Sequence, residues 1–288
     1  MRIFARGWSD GFDGPGRRLV YYLKGCNLRC HWCGNPESIA AVPEMLFYPG
    51  KSDFAAESCP HGAVRDGLLD RRACARCMDH ACVERWRDPA FELVGEEFTL
   101  PDLLDQVEER RPFFGRDGGG GGVTFSGGEP TLQMDALLAA ADALRERGVH
   151  VAIETNASSP RFHELAGRCD LLICDLKAVS GDLHARMTGA DNRLILANLA
   201  SGIAMTVRVP LIRELNFVPE EREKIHRFLV ETRPERVGLL LLHRLGRPKY
   251  EALGRAWTAE DLTPPDRDDV EAFRLGLECD GLAAEILN

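Results

Sequence analysis

Three cysteines near the start of the chain are spaced for metal binding. Cys26, Cys30 and Cys33 lie in the stretch GCNLRCHWCGN, with the pattern C-x3-C-x2-C. Thiolates at this spacing on a loop can ligate three irons of a [4Fe–4S] cluster. Zinc is the alternative, but a closed zinc site needs four ligands, and His31 is poorly aimed because it lies directly beside Cys30. The pattern therefore predicts a cluster with one iron left open for an exchangeable ligand.

A second group of cysteines follows, and it has four members. They are Cys59, Cys74, Cys77 and Cys82. Disulfides are not expected, because the cytosol keeps thiols reduced. Two kinds of site fit four thiolates: a second [4Fe–4S] cluster, and a zinc ion. The other three of the ten cysteines are scattered along the chain and indicate buried small apolar residues.

Six short apolar runs supply the elements that must position these thiols. Their bounds are 18–24, 122–126, 149–155, 170–176, 205–212 and 236–243. Val, Ile and Leu occur on both faces of the runs, as in strands buried in a parallel sheet. Helical patterns lie between the runs, for example over 131–148 and 219–233. The alternation predicts an α/β fold, an incomplete (β/α)6 TIM-type barrel.

Polar or metal-binding groups stand at every predicted strand end. The cysteine triad follows the first strand, SGGEP the second, ETN the third and DLK the fourth, while Arg208 lies in the fifth and His243 ends the sixth. Because chemistry in such barrels gathers at the carboxyl ends of the strands, these groups predict one active site. Taken singly, GGEP could be a simple turn and Asp175 with Lys177 a surface ion pair. Likewise, His243 could be a core histidine and Trp32 a packing residue.

Residues 47–97 interrupt the alternation of strands and helices and hold the second cysteine group. This segment has few apolar residues at regular spacing, which predicts a small insert whose fold is stabilised by a bound metal. The flanking parts, 1–46 and 98–288, form the barrel. A run of five glycines, Gly118 to Gly122, precedes the second strand. It indicates a flexible connection, or a loop that passes close to a ligand.

The composition excludes several classes of function. The 288 residues carry a net charge of −9 and no block of lysine or arginine, so a nucleic-acid-binding surface is not expected. The first residues lack the apolar core of a signal peptide, and no apolar run approaches the ~18 residues of a membrane span. We expect a soluble cytoplasmic protein that binds neither nucleic acid nor membrane.

The pattern C-x3-C-x2-C, with SGGEP after the next strand, resembles the radical S-adenosylmethionine (SAM) superfamily. That resemblance implies that the amino and carboxylate groups of SAM chelate the open iron. One electron from the reduced cluster then cleaves the sulfonium carbon–sulfur bond and yields methionine and a 5′-deoxyadenosyl radical. A fourth cysteine would block the open position.

Further motifs narrow the resemblance to the activating enzymes of glycyl radical enzymes, such as pyruvate formate-lyase activating enzyme. Five stretches occur in the family's order: DGPGRRLVYYLKGCNLRCHWCGNPES, RPFFGRDGGGGGVTFSGGEPTLQ, HARMTGADNRLILANL, VRVPLI and LLHRLGRPKYEALG. The implied activity is abstraction of the Cα hydrogen of a glycine on a partner glycyl radical enzyme. The implied electron donor is a one-electron carrier such as flavodoxin or ferredoxin. The insert resembles the ferredoxin-like domain that holds a second cluster in many of these enzymes.

The resemblance also assigns roles to individual residues. The catalytic cluster would be ligated by Cys26, Cys30 and Cys33. SAM would be bound by Trp32, Gly127, Gly128, Glu129, Asp175, Lys177, Arg208 and His243. Trp32 would lie beside the adenine, and the residues of GGEP would line the methionine end of SAM. A monovalent cation near the SAM carboxylate would be bound by Glu154, Thr155 and Asp175, and Asp13 would lie near the partner's glycine loop. No general base is expected.

Several residues depart from the family's motifs. Arg213 and Glu214 replace a Pro-Gly pair after the fifth strand, Ala157 stands where glycine is common, and LLLLH replaces LLPYH. These differences lie near the predicted mouth of the barrel and bear on the identity of the partner. The alternative function is radical SAM chemistry on a small molecule or peptide. A non-enzymatic electron carrier or metal-binding scaffold would not bind SAM, and the six strand-end motifs argue against it.

Overall fold

The computed structural model describes residues 1–115 and 120–287, and thirteen strands lie in those ranges. In chain order, β1 to β13 are Arg2–Asp10, Arg17–Leu23, Glu44–Phe47, Val64–Arg65, Leu68–Leu69, Phe91–Val94, Glu96–Glu97, Gly121–Gly127, His150–Thr155, Leu171–Asp175, Thr206–Leu211, Arg236–Leu241 and Ala284–Leu287. The same ranges contain nine α-helices. In chain order, α1 to α9 are Arg71–Cys74, Ala81–Glu84, Leu100–Arg110, Met134–Glu146, Gly181–Thr188, Arg193–Leu199, Pro219–Thr232, Arg247–Ala252 and Arg267–Cys279.

Nine of the described strands form one sheet, in the order β13-β12-β11-β10-β9-β8-β2-β1-β7. Neighbours from β2 to β13 are parallel, whereas β1 and β7 extend the sheet antiparallel. All six predicted strands are confirmed, as β2 and β8 to β12, and so is the α/β class with a partial barrel. The seventh parallel strand, β13, was not predicted, because four residues are too few to show a period.

The two predicted helices are confirmed, with one difference at a boundary. The predicted helix over 131–148 is preceded by a 3-10 turn, Pro130–Gln133, and α4 begins only after it. The Glu129 side chain accepts a hydrogen bond from a backbone N–H of that turn and so caps it. The predicted helix over 219–233 is α7, whose first turn carries two glutamates, as the helix dipole favours. In the described ranges, no helix is both long and apolar enough to cross a membrane.

Apolar side chains on the sheet and its helices form the main core. Val123 and Phe125 of β8, with Val151 and Ile153 of β9, are fully buried, as is Leu137 of α4. Burying a side chain of this size contributes about 1.5–3 kcal/mol relative to leaving it exposed. The core therefore fixes the strands firmly, and with them the loops that leave their carboxyl ends.

The glycine run before β8 is part strand. Of Gly118 to Gly122, the first two residues lie outside the described ranges. Gly121 and Gly122 belong to β8, where an added Cβ would lie 2.4 Å from the Arg17 carbonyl oxygen and 2.0 Å from the His150 carbonyl oxygen, respectively. The prediction of a flexible connection is therefore wrong for these two residues, which are glycine because neighbouring strands approach them closely.

Residues 47–97 contain short elements around a small core. β3, which leads into this segment, pairs antiparallel with β6, and Phe47, Val64 and Phe91 pack with Cys82 and with Met45 of β3. The division of the chain into a barrel and an insert stays a prediction, and we use "the insert" below for residues 47–97.

Helix α8 connects the insert to the rest of the chain. Leu46 and Val94, from β3 and β6, pack against Leu253 just after α8. The Arg71 guanidinium, at the start of α1, donates a hydrogen bond to the Ala252 carbonyl at the end of α8. The insert is therefore fixed against a helix that itself contacts the first cysteine loop, as described below.

Candidate active site

The carboxyl ends of the parallel strands surround a cavity of about 920 Å³. Twelve of the predicted site residues line it: Cys26, Cys30, Trp32, Cys33, Gly127, Gly128, Glu154, Thr155, Asp175, Lys177, Arg208 and His243. Two other predicted residues, Glu129 and Asp13, do not line it. The four insert cysteines surround a separate, small cavity.

The cysteine triad lies on a loop that the backbone holds in place. The loop begins at Gly25, whose φ of +105° favours glycine, and the Gly25 and Cys26 amides donate to carbonyls of residues 38 and 39. Burial raises the pKa of Cys26 to about 11 and that of Cys30 to about 12, and it also raises the pKa of Cys33. Free thiols here would therefore stay protonated, and a metal bound to them would favour the thiolate form. Three sulfur donors facing one cavity fit a cluster with one open iron.

The glycine pair of SGGEP brings its backbone against the cysteine loop. An added Cβ on Gly127 would lie 2.3 Å from the Leu23 amide nitrogen, and one on Gly128 would lie 2.3 Å from the Gly25 carbonyl oxygen. The Gly128 and Glu129 amides donate to the Leu23 and Gly25 carbonyls at 2.9 and 2.8 Å. Both glycines are therefore required by close packing, and the alternative of a simple turn does not account for them.

Glu129 is fully buried and connects two of the strand-end loops. Its Oε1 accepts hydrogen bonds from the Thr131 amide at 3.0 Å, the Thr131 hydroxyl at 2.5 Å and the Thr155 hydroxyl at 2.7 Å. Its Oε2 accepts from the Asn156 amide at 2.7 Å. Burial raises the pKa of Glu129, and these hydrogen bonds oppose that shift. The carboxylate thus fixes the ETN loop to the GGEP loop rather than facing the cavity.

Arg208 on β11 joins the cavity wall to the loop before β2. Its Nη1 donates to Glu154 Oε1 at 2.6 Å, and its Nη2 donates to the Phe12 carbonyl. Its guanidinium carbon lies 5.2 Å from the centroid of the Phe12 ring, which also lines the cavity. Nε of Arg208 is buried and finds no partner among the described residues. A ligand with an acceptor atom would satisfy this donor.

Glu154 is the most perturbed carboxyl of the cavity wall. Burial raises its pKa to about 7, against the opposing effect of Arg208, and the charges of Asp13 and Asp175 add to the shift. Ser126 donates from its hydroxyl to Glu154 Oε2 at 2.6 Å. The wall thus combines the two carboxylates of Glu154 and Asp175 with three cationic side chains, Arg208, Lys177 and Lys249, which suits a ligand that carries both charges.

Asp175 and Lys177 form an ion pair at the end of β10. Lys177 Nζ lies 2.5 Å from Asp175 Oδ2, and the Lys177 side chain is buried. Burial opposes the charge on Lys177, but Asp175 and the Cys30 sulfur outweigh it and raise the pKa of the lysine. Because the pair faces the cavity, the alternative of a surface ion pair is wrong.

Of the remaining predicted residues, one lies at the rim of the cavity, one lines it, and one is buried beside it. His243 is exposed at the cavity rim, so the alternative of a core histidine is wrong. Trp32 both lines the cavity and packs against a small apolar cluster around Met187. Asp13 is buried beside the cavity, where its carbonyl accepts a hydrogen bond from the Thr124 hydroxyl at 2.7 Å.

Sequence reasoning missed several residues of this site. Phe12 lines the cavity next to Asp13, and Lys249 of α8 lines it while donating to Glu37 Oε1 at 2.5 Å. An added Cβ on Gly246, just before α8, would lie 2.6 Å from the Cys33 carbonyl oxygen. The signal available was the motif LGRPKYEALG, which contains both Gly246 and Lys249.

The second cysteine group also comes together in space. The four insert thiols line a cavity of about 10 Å³, together with His61 and His80. Burial raises the pKa of Cys82 to about 11, and the nearby Cys59 and Cys74 sulfurs add to the shift. Four thiols around one small space fit a metal centre.

Comparison with known proteins decides the family. The model of the radical SAM superfamily matches residues 20–229. The chain belongs to the radical SAM superfamily. This radical SAM protein is 33% identical to the trans-4-hydroxy-L-proline dehydratase activating enzyme of Clostridioides difficile, over 95% of each chain. It is 34% identical to the isethionate sulfite-lyase activating enzyme of Desulfovibrio desulfuricans, over 84% of this chain and 83% of that one.

These relatives identify the radical SAM protein as an activating enzyme of glycyl radical enzymes. Membership implies a [4Fe–4S] cluster, SAM, and a glycyl radical enzyme as partner. Among solved structures, the fold resembles SuiB of Streptococcus suis bound to S-adenosylmethionine, with a TM-score of 0.53 and 14% identity. That match covers 93% of this chain and 49% of the other, and it concerns the fold alone.

Proposed function

We propose that Cys26, Cys30 and Cys33 hold the catalytic [4Fe–4S] cluster and that SAM occupies the cavity beside them. When bound, the reduced cluster would supply one electron to SAM, and cleavage to methionine would supply the 5′-deoxyadenosyl radical for abstraction of the Cα hydrogen of a glycine on the partner enzyme. The observation that supports this proposal best is the convergence of twelve predicted residues, from six strand ends, on one cavity.

The chain's own residues bind and orient the reacting groups. We assign the backbone of Gly127 and Gly128 to the methionine end of SAM, because both residues line the cavity and pack against the start of the cysteine loop. Arg208 offers its unpartnered Nε to an acceptor, and the Asp175–Lys177 pair offers both charges. Such placement lowers the barrier by holding the reacting atoms in reach of each other. Glycine suits the reaction, since it has no side chain to hinder access to its Cα.

We further propose that a monovalent cation binds at Glu154, Thr155 and Asp175. All three residues line the cavity, and two of them carry carboxylates. Glu154 already accepts hydrogen bonds from Arg208 and Ser126, so the cation would share that carboxylate with an arginine. We expect SAM affinity to rise when potassium replaces a bulky organic cation in the buffer.

For the insert, we propose a second [4Fe–4S] cluster held by Cys59, Cys74, Cys77 and Cys82. A zinc ion with Zn–S bonds of 2.3 Å would bring its sulfurs within about 3.8 Å of one another. In the part of the chain that the structure describes, the one set of three metal-ligating groups with all ligand atoms within 4.8 Å is His61, Cys77 and Asp79. No three of the four thiols lie that close together in the described residues, so binding zinc would require their side chains to move inward. A cubane binds each thiolate through a different iron and does not need the sulfurs in mutual contact.

Metal analysis after anaerobic purification tests both centres. About eight irons per chain support two clusters, while about four irons and one zinc would assign zinc to the insert. Cys82→Ser should remove the insert metal alone, and Cys33→Ser should remove the catalytic cluster. Of the three scattered cysteines predicted to be buried, Cys174 is buried and Cys279 is exposed, so the prediction is wrong for Cys279. Cys279→Ser is the matched control, since this exposed residue lies in neither group.

The activity is tested by anaerobic incubation with SAM, dithionite and a candidate partner enzyme. A doublet EPR signal on the partner's glycine supports the proposal. Formation of 5′-deoxyadenosine together with a modified small molecule or peptide would assign the alternative function. Failure of SAM to change the spectrum of the iron-loaded protein would overturn the proposed site. A cytoplasmic location stays a prediction from the sequence.

A further inference from the structure

One segment of the insert, residues 65–87, is rich in exposed arginines for which the described residues supply no ion-pair partner. We define the arginine face as Arg65, Arg72, Arg76, Arg85 and Arg87, all of which are exposed. The ion pairs formed within the described ranges involve other side chains, such as His61 with Asp79 and Arg255 with Glu44. Between residues 65 and 87 the chain has six arginines against four acidic residues, a formal charge of +2, whereas the whole chain carries −9.

Two of the four acids in this segment are already engaged locally. Asp70 accepts hydrogen bonds from two backbone amides at the start of α1, and Asp79 pairs with His61 at 2.9 Å. The charges of Arg76 and Arg65 act on Asp70 as well, so the four acids offset part of the arginine charge and leave the segment at +2. An acidic protein would be attracted to this positive segment, whereas the net charge of the rest of the chain is negative.

Large apolar side chains are exposed among these arginines. Met78 is 91% exposed, Leu68 74% and Trp86 55%, and the Arg85 guanidinium carbon lies 5.6 Å from the centroid of the Trp86 ring. Trp, Met and Arg are the residue types enriched in protein–protein interfaces. This composition indicates a protein partner.

The arginine face lies next to the insert thiols along the chain. Arg76 lies between Cys74 and Cys77, and Met78 follows Cys77 directly. Helix α2 carries Cys82 and leads directly to Arg85 and Trp86. A protein bound to this face would thus sit beside the proposed second metal centre.

The same insert is connected to the catalytic cysteines through α8. Arg71 bonds to the carbonyl at the end of α8, while Gly246 at its start packs against the Cys33 carbonyl. Lys249, within α8, donates to Asn35 and Glu37 of the cysteine loop. A partner on the arginine face would therefore be joined to the catalytic site by continuous packed structure.

We infer that the arginine face is the docking site of a small, acidic one-electron carrier protein that reduces this enzyme. The inference rests on the proposed function, because each reductive cleavage of SAM consumes one electron. The carrier loses that electron and is oxidised by one unit, and no proton need accompany the transfer. Positive charge steers and orients the carrier, and the exposed Met and Trp side chains supply contact area.

The test compares charge reversals inside and outside the arginine face. The test variant is Arg76→Glu with Arg85→Glu. The control is Arg193→Glu with Arg227→Glu. It makes the same change of charge at exposed arginines of α6 and α7. The probe is an acidic ferredoxin, whose dissociation constant is measured anaerobically as a function of salt. Iron content and the visible spectrum verify that each variant is intact.

We expect the face variant to weaken ferredoxin binding at low salt by about tenfold or more and to flatten its salt dependence. The control should bind within about twofold of wild type. SAM cleavage should slow when ferredoxin is the donor and stay unchanged with dithionite. If dithionite also fails with the wild-type enzyme, the proposed function is at fault, and the binding data still test the docking site.

Three results would overturn the inference. The first is unchanged ferredoxin binding by the face variant, and the second is an equal loss in the control. The third is loss of binding to the partner glycyl radical enzyme with ferredoxin binding intact, which would assign the face to that enzyme. Should the first variant lose its metal, Arg65→Glu with Arg72→Glu tests the same face at other positions.

Discussion

Replacing Glu129 by glutamine tests whether a buried carboxylate holds two loops of the active site together. Four hydrogen bonds reach this side chain: three at Oε1, and one at Oε2 from the Asn156 amide. An amide has only one acceptor oxygen, so its NH2 group must replace one of the two carboxylate oxygens. The least damaging orientation keeps the three donors at the former Oε1 and leaves the Asn156 N–H facing another donor.

The size of the effect follows from that single unsatisfied group. One buried N–H left without an acceptor costs about 1–3 kcal/mol, so Glu129→Gln should lower the free energy of unfolding by that amount. Glu129→Ala leaves two backbone amides unsatisfied, those of Thr131 and Asn156, and should cost roughly twice as much. SAM affinity should fall in both variants, because the two loops follow neighbouring strands and line adjacent parts of the cavity.

The measurement is urea unfolding of the anaerobically purified protein, followed by circular dichroism, together with SAM binding. Glu223→Gln serves as the control, since Glu223 is an exposed glutamate of α7 paired with Arg227. If Glu129→Gln unfolds within about 0.5 kcal/mol of wild type, then Glu129 is already protonated in the native protein. In that case our account, in which an ionised Glu129 carboxylate accepts all four hydrogen bonds, is wrong.

Two further variants probe other parts of the site, and a third probes a histidine at the start of β9, outside the cavity. Gly128→Ala should cost roughly 1–3 kcal/mol of stability and lower the iron content, because its Cβ would lie 2.3 Å from a backbone carbonyl oxygen; Gly50→Ala, in open space, should do neither. Arg208→Lys keeps the charge but not the fork of donors, so SAM binding should weaken about tenfold in titrations. Burial lowers the pKa of His150 below its usual 6.5, and the charge of Arg18 lowers it further. As the pH falls through 6.5, this histidine therefore takes up a proton more readily in the unfolded chain than in the folded protein. The urea midpoint should therefore decrease between pH 7.5 and 5.5, and His150→Gln should reduce that decrease.

The sequence predicted the strand ends well because each is marked by an apolar run and a polar stop. The run VTFS, followed by GGEP, predicts both the burial of Val123 and Phe125 and the end of the strand at a loop beside the cavity. The position of Lys177 in the cavity follows in the same way, since it lies two residues beyond Asp175 on one face of the chain.

The orientation of single side chains in the loops could not be predicted. Glu129 follows two cavity glycines in sequence, but its side chain turns inward because four donors of neighbouring loops meet there. Arg208 binds the Phe12 carbonyl, 196 residues away along the chain. Contacts of this range arise from packing of the whole sheet, and no local pattern encodes them.

The main sheet stops at β7 on one side and at β13 on the other, so its described strands do not close into a ring. Leu287 of β13 nevertheless forms part of the cavity wall. If the sheet closed into a complete barrel, a substrate could enter the cavity only at the carboxyl ends of the strands. An open sheet also allows entry from the side. A loop of the partner protein can then reach the cavity while both ends of the loop stay within the folded partner. A target glycine could therefore be reached without unfolding the protein that carries it.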